Sequence, residues 1–501
     1  MPLFTKSTLL TRVVLLGSLC LAGFVFAAEE TGPAVQERTA LDDYIAKEDS
    51  TFAWRLAETK EFPTHTLFAI ELTSQTWRKP EEVDRTVWKH WLMVVRPKEV
   101  KSETGFLFIT GGSHRDTPPD SVQDYTAKIA IGTNSIVAEL KNVPNQPLEF
   151  TGGGRKMVED DLISFTWNKF METGDKEWPA RLPMVKSAVR AMDAIQAFAA
   201  SKECGNVTVK NFTVAGGSKR GWTTWCTAAV DKRVNAIVPI VIDVLNVQNS
   251  MRNHLEAYGF WAPNVGDYVR SGIVLRENDP AYAELLNIED PYVYRNRFTM
   301  PKLVLNAAGD QFFTPDSSKF YFHDLPGEKF LRYVPNTDHG MGGSDAIETL
   351  GAFYDSIVRN LKRPTYSWTF EDDGSIKVNT PDQPKEVKIW KAHNPEARDF
   401  RLEEVGPIYT SETISLAGND TYVGKIETPK KGFTAFFVEL TYDIGSHYPL
   451  KVTTDVRILP EVHPYKGIAP TTKIGGAKLA EKEFLRKAQE KAKQRRLQKK
   501  D

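Results

Sequence analysis

Ser218 stands in the stretch Phe212-Thr213-Val214-Ala215-Gly216-Gly217-Ser218-Lys219-Arg220-Gly221-Trp222, where an apolar run stops at two glycines and a helical pattern resumes. A serine hydroxyl is a weak nucleophile at its own pKa. A sharp strand-to-helix turn is one of the few arrangements that pushes its Oγ clear of neighbouring side chains. Gly216 and Gly217 keep the near side of such a turn open. The usual G-x-S-x-G spacing asks for glycine where Arg220 stands, and Gly221 arrives one residue late. A plain glycine turn between strand and helix accounts for the same residues.

Two further residues follow in a meaningful order. Asp310 closes Ala307-Ala308-Gly309-Asp310, just beyond the apolar run 303–306, and His339 lies in Pro335-Asn336-Thr337-Asp338-His339-Gly340, directly after the run 330–334. Both therefore sit past the carboxyl end of a strand, the edge at which open α/β sheets build sites. Acyl transfer from serine needs an imidazole to take the proton and a carboxylate to hold the imidazole's tautomer. Serine, acid, histidine is the chain order of α/β-hydrolases. This assigns Ser218 as nucleophile, His339 as base and Asp310 as orienting acid. Asp243, after the run 236–241, is the rival acid, whereas Asp338 adjoins the histidine and points away from it. For the oxyanion, the amide of Lys219 is one expected donor, and Gly111, Gly112 or Ser113, leaving a strand in Thr110-Gly111-Gly112-Ser113-His114, supplies the other. A plain glycine turn is the alternative there too. Trp167, Trp178, Trp222, Trp225 and Trp261 either line an aromatic cleft under a lid inserted near 245–273 or belong to the core.

The elements that must position these groups alternate. Strand-like runs are expected at 65–77, 86–95, 105–110, 135–140, 211–215, 236–241, 302–306 and 330–334, with an amphipathic helix over 183–200. Residues 39–54 read as a polar helical lead-in. Strands apolar on both faces and separated by helices indicate a mostly parallel sheet with helices on both faces, an α/β domain over 28–364. From 365 to 460 the pattern changes to short alternating runs punctuated by Gly, Pro and Asp. That is the texture of a small all-β, sandwich-like module. Residues 461–501 end rich in Lys, Arg and Gln and are expected as a solvated basic tail.

The composition suits a folded chain: of 501 residues, 41% are hydrophobic and 26% charged, with a formal charge of -1. No global field draws it to nucleic acid. Lys6 and Arg12 lead into the apolar run 13–26 and then Ala27 and Ala28. That run is about 14 residues, the length of a signal-peptide core rather than of a spanning helix of ~20. Residues 1–27 are thus expected to be a signal peptide, with no stable membrane span after cleavage and a periplasmic or secreted product; a retained anchor is the alternative. Cys204 and Cys226 would remain after cleavage, paired or free. No motif for a metal, nucleotide or other cofactor is present, and none is expected.

The stretches Gly216–Trp222, 308–318 and 334–340, together with Val143-Pro144-Asn145-Gln146-Pro147-Leu148 and Glu159-Asp160-Asp161-Leu162, resemble the PhoPQ-activated pathogenicity-related family over roughly residues 40–361. The resemblance implies an α/β-hydrolase-like fold and an exported protein. The elbow is also similar to the G-C-S-R-x-G of glucuronoyl esterases, with Lys219 in place of arginine. The expected function is an exported serine hydrolase acting on an ester or peptide bond. The alternatives are a non-catalytic secreted signalling or virulence-related factor on a hydrolase scaffold, and a carbohydrate esterase whose β module binds sugar.

Overall fold

The computed structural model describes residues 38–476, so the expected signal peptide lies outside the described residues. Nine strands form one sheet: β1 (Ala53–Glu61), β2 (His65–Thr76), β3 (Val87–Pro97), β4 (Thr104–Ile109), β5 (Val137–Leu140), β6 (Asn211–Gly217), β7 (Val234–Ile240), β8 (Lys302–Ala307) and β9 (Lys329–Val334). Their spatial order is β1-β2-β3-β5-β4-β6-β7-β8-β9. The first three strands and the β3–β5 pair run antiparallel, and every pair from β5 through β4 to β9 is parallel. Parallel neighbours need crossovers, and the helices supply them.

Side-chain alternation sorts the sheet into two faces. Phe68, Ile70, Leu107, Ile109 and Val214 pack with α3 (Glu159–Thr173), α4 (Arg181–Ala199) and α5 (Lys219–Val230) on one side. Leu67, Ala69, Phe106, Ala215 and Val238 pack with α2 (Asp124–Thr133) and α9 (Ala346–Val358) on the other. A sheet covered on both faces is why its central strands read as nearly continuous apolar runs.

Two expectations change. The lead-in is helical only over Ala40–Ala46, and β1 follows as an edge strand whose residues alternate between exposed and half-buried. With polar residues on its open face, β1 carries little apolar signal, and its pairing with β2 decides its conformation. The insertion between β7 and β8 is longer than expected, carrying α6 (Val247–Tyr258), α7 (Gly266–Arg270) and α8 (Pro280–Glu289) with short 3₁₀ turns between them.

Beyond residue 364 the chain forms two antiparallel sheets. One is built on Glu386–Asn394 and Phe433–Tyr442, the other on Ser367–Phe370 and Ile376–Asn379. This all-β segment shares its core with the α/β layers, because Ala435, Phe437 and Ile458 belong to the same buried cluster as Val214 and Trp222. Of the tail expected over 461–501, residues up to Gly476 are described. Residues up to Gly476 dock on the insertion, with Trp261 N donating to Lys473 O (2.8 Å), Gly475 N donating to Trp261 O (3.1 Å) and Trp261 Nε1 donating to Thr471 O (2.6 Å). Cys204 and Cys226 are free, buried thiols. Among the described residues, no helix is long and apolar enough to cross a membrane.

Candidate active site

Ser218 is the residue between β6 and α5, with φ 57° and ψ −129°, a conformation that L-residues rarely adopt. Its amide donates to Ile240 O at 2.8 Å, which ties the turn to the neighbouring strand. The late glycine now has a reason. A Cβ on Gly221 would lie 2.8 Å from Gly216 O and 3.0 Å from Ile240 O, and a Cβ on Gly216 would lie 2.6 Å from Arg220 O. The first turn of α5 is pressed onto the strand end, so the small residues are needed at 216 and 221. Arg220 extends away from that contact, and its position tolerates a long side chain. The amide of Lys219 is the first of α5, one of those a helix leaves without an intrahelical acceptor.

Asp310 and His339 meet. His339 Nδ1 lies 2.8 Å from Asp310 Oδ2, while Asp310 Oδ1 accepts from the amide of Phe312 at 2.7 Å. The amide of His339 donates to Gln311 Oε1 at 2.9 Å, and the Phe312 ring lies 4.3 Å from the imidazole. With its proton on Nδ1, the imidazole presents a lone pair at Nε2, which is buried and has no hydrogen-bond partner among the described residues. Ser218 Oγ therefore stands without a hydrogen bond to it in this state, although Ser218 and Phe312 line the same cavity. Asp338 instead accepts from Gly340 N within its own loop.

The rival acid, Asp243, is turned elsewhere: it accepts from Tyr321 Oη at 2.7 Å and Tyr333 Oη at 2.5 Å. Burial pushes its carboxyl well above the usual range, the charge of Asp310 adds to that rise, and the two phenols only partly offset it.

The cavity beside Ser218 measures about 90 Å³ and is walled by Trp167, Trp222, Trp261, Phe312 and Phe313. Three of the five expected tryptophans thus line it. The other two are core: Trp225 packs on Phe298, and Trp178 lies 4.0 Å beneath the guanidinium of Arg78.

The expected oxyanion donors divide. Lys219 lines the Ser218 cavity, whereas Gly112 and Ser113 face a separate hollow with His114 and Lys141. Gly111 shares a groove with Gly217 and Arg220. What fixes this loop is a polar network that motif spacing did not expose. Gln146 Nε2 donates to Gly112 O (2.9 Å) and to Glu159 Oε1 (2.6 Å), and its Oε1 accepts from Glu159 N (2.8 Å). Glu159 in turn receives both terminal nitrogens of Arg220 at 2.7 Å and Nζ of Lys219 at 2.8 Å. Burial disfavours the charged carboxyl, yet Arg220 and Lys219 outweigh that cost and hold Glu159 well below its ordinary value of 4.5. The only hints in the sequence were Gln146 and Glu159 within two of the stretches that carry the family resemblance. Among the described residues no cluster of His, Cys, Asp or Glu is arranged to hold a metal ion.

A strand, a strained serine turn, and an acid and a histidine at the ends of later parallel strands define an α/β-hydrolase-type fold. The chain belongs to the PhoPQ-activated pathogenicity-related protein family, whose profile matches residues 41–401. It is 38% identical over 456 residues to Autocrine proliferation repressor protein A of Dictyostelium discoideum, covering 85% of this chain and 92% of that protein. Among solved structures it is similar to acetyl xylan esterase 1 from Thermoanaerobacterium sp. JW/SL YS485 (15% identity, 60% of this chain and 86% of that one, TM-score 0.43). It is also similar to an acetyl xylan esterase from Paenibacillus sp. R4 (14% identity, 65% and 96%, TM-score 0.45).

Proposed function

We propose that this protein is an exported serine hydrolase that cleaves an ester or peptide bond by acyl transfer. Ser218 Oγ attacks the substrate carbonyl while His339 Nε2 takes its proton. Asp310 Oδ2 accepts from Nδ1–H, which fixes the tautomer of the imidazole and stabilises the imidazolium. The oxyanion is received by the Lys219 amide. His339 then returns the proton to the leaving group, and water repeats the sequence to release the acid. The cycle uses no metal or cofactor. The observation that carries this reading is the His339 ring, bonded to Asp310 through Nδ1 and with its Nε2 buried and unpartnered among the described residues. Substrate binding closes the remaining gap to Ser218, since catalytic hydrogen bonds tighten in the loaded enzyme. Export rests on the apolar run 13–26 and its flanking charges.

The test is reaction of the purified protein with a fluorophosphonate, comparing wild type with Ser218→Ala and His339→Ala. Labelling of wild type and its loss in both variants is the expected result. A folded wild type that does not label favours the second reading, a non-catalytic secreted factor. That reading is suggested by the name of the Dictyostelium discoideum relative, a proliferation repressor.

A further inference from the structure

The insertion that lines the Ser218 cavity also reaches the Asp310 and His339 pair from behind. His254, in α6, is only 2% exposed, and both of its ring nitrogens are engaged. The amide of Ala262 donates to Nε2 at 3.0 Å, so the ring proton sits on Nδ1, which donates to Phe312 O at 3.1 Å. Among the described residues, neither that amide nor that carbonyl has another hydrogen-bond partner. Burial pushes the imidazole from its ordinary 6.5 down to about 3, the charge of Arg401 adds to the fall, and the bond to Phe312 offsets it only in part. The ring therefore keeps this tautomer across the neutral range.

Phe312 carries the contact to the pair. Its amide donates to Asp310 Oδ1 at 2.7 Å, and its ring lies 4.3 Å from the His339 imidazole. A residue tied to the acid by its amide and to the base by its ring passes any shift of its carbonyl to both. His254 is what fixes that carbonyl. The His254 ring also stacks on Trp261, a wall of the cavity, with centroids 5.4 Å apart. One imidazole thus joins the wall that meets a substrate to the acid that orients the base.

We infer that His254 is a positioning residue: by bonding the Phe312 carbonyl it holds Asp310 and His339 in register, so that His339 Nδ1 keeps its bond to the Asp310 carboxylate. This rests on the reading of Ser218, Asp310 and His339 as the triad of a serine hydrolase, and it adds to that triad a residue that touches none of the reacting atoms. Removing the imidazole strands the Phe312 carbonyl and the Ala262 amide, and the turn that carries Asp310 loses its tie to α6. A misplacement of about 1 Å in such a pair costs about a hundredfold in rate.

The test uses the full chain with isotope-labelled histidine and compares wild type with His254→Asn, His254→Gln and His254→Leu. Asparagine places an amide nitrogen near the position of Nδ1 and keeps the bond to Phe312 O. Glutamine reaches the position of Nε2 and keeps the bond from the Ala262 amide, while leucine fills space and keeps neither. The first readout is solvent exchange of the His339 Nδ1 proton by NMR, assigned through His339→Gln, and the second is the maximal rate of fluorophosphonate inactivation. The expected exchange is about fivefold or more faster than wild type in the glutamine and leucine variants, the equivalent of about one hydrogen bond, and within about twofold in the asparagine variant. Inactivation follows the same order, with the loss in the maximal rate rather than in the half-saturating probe concentration. Equal exchange in the asparagine and glutamine variants overturns the inference, as does a folded leucine variant that exchanges as wild type does, or a wild type with no protected Nδ1 proton. Should the leucine variant not fold, the asparagine and glutamine pair decides. A wild type that shows the expected ranking of exchange but does not label defeats the hydrolase reading alone, and the bond from His254 to Phe312 still stands as what holds the pair.

Discussion

Gly221 lies against Gly216 across the turn that carries Ser218, close enough that a single added carbon on Gly221 would sit 2.8 Å from the Gly216 carbonyl oxygen. That contact seats helix α5 on the end of its strand and holds Ser218 at φ 57°. Replacing Gly221 by alanine should cost about 1–3 kcal/mol in stability through overpacking and cut fluorophosphonate labelling sharply. Gly217→Ala meets nothing within 4 Å and should label within about twofold of wild type. Chemical denaturation midpoints and labelling rates of the two variants check this. Similar losses in both would show that the helix seat is not what shapes the turn.

Asp310, and not Asp243, should set the tautomer of His339. Asp310→Asn is expected to slow inactivation by the probe about a thousandfold or more, because an amide stabilises the wrong imidazole form. Asp243→Asn leaves the His339 contact untouched, and its expected effect is within about tenfold. Asp338→Asn, altering only a bond to Gly340 N, should be close to neutral. Second-order rates of labelling for the three variants rank them directly.

Glu159 predicts an acid limb. Its folded pKa lies below the ordinary 4.5, so the stabilisation from Arg220 and Lys219 is fully present above that value and is lost as pH falls toward the folded pKa. Glu159→Gln should destabilise the protein near neutrality by about 1–3 kcal/mol, since it strands the Arg220 guanidinium and leaves Lys219 with Asp160 as its one remaining carboxylate partner. The gap between variant and wild type should then shrink as the pH drops below the ordinary carboxylate range. Urea titrations across that range measure the convergence, and a constant gap would exclude the assigned charge role.

The docked segment 461–476 should matter to the site through Trp261, which lines the cavity and makes three hydrogen bonds to it. A chain ended after Pro460 is expected to label at least about tenfold more slowly, each lost bond being worth about 1 kcal/mol. One ended after Gly476 should label as the full chain does. Equal rates for both would mean that Trp261 keeps its place without the strap.

The local parts of this protein were legible from its residues. The strands of the parallel sheet, the helix over 181–199 and the serine turn depend on periodicity and glycine placement within a few residues, and the sequence shows these directly. Ser218, Asp310 and His339 could be found because each follows a strand at its carboxyl end, a position encoded by the preceding apolar run. Other features lay beyond reach because they join residues far apart in the chain. Arg181 meets Glu289, Gln146 meets Gly112, and Trp261 meets Lys473, and no short-range pattern marks such pairs. The edge strand β1 hid for a related reason, since its conformation comes from pairing with β2 rather than from its own polar residues. Sequence alone determined which residue types could perform acyl transfer and in what order they follow the strands. The tertiary structure decided which acid faces the imidazole and which tryptophans wall the cavity. Those outcomes depend on how layers pack, and packing is a property of surfaces assembled from distant segments.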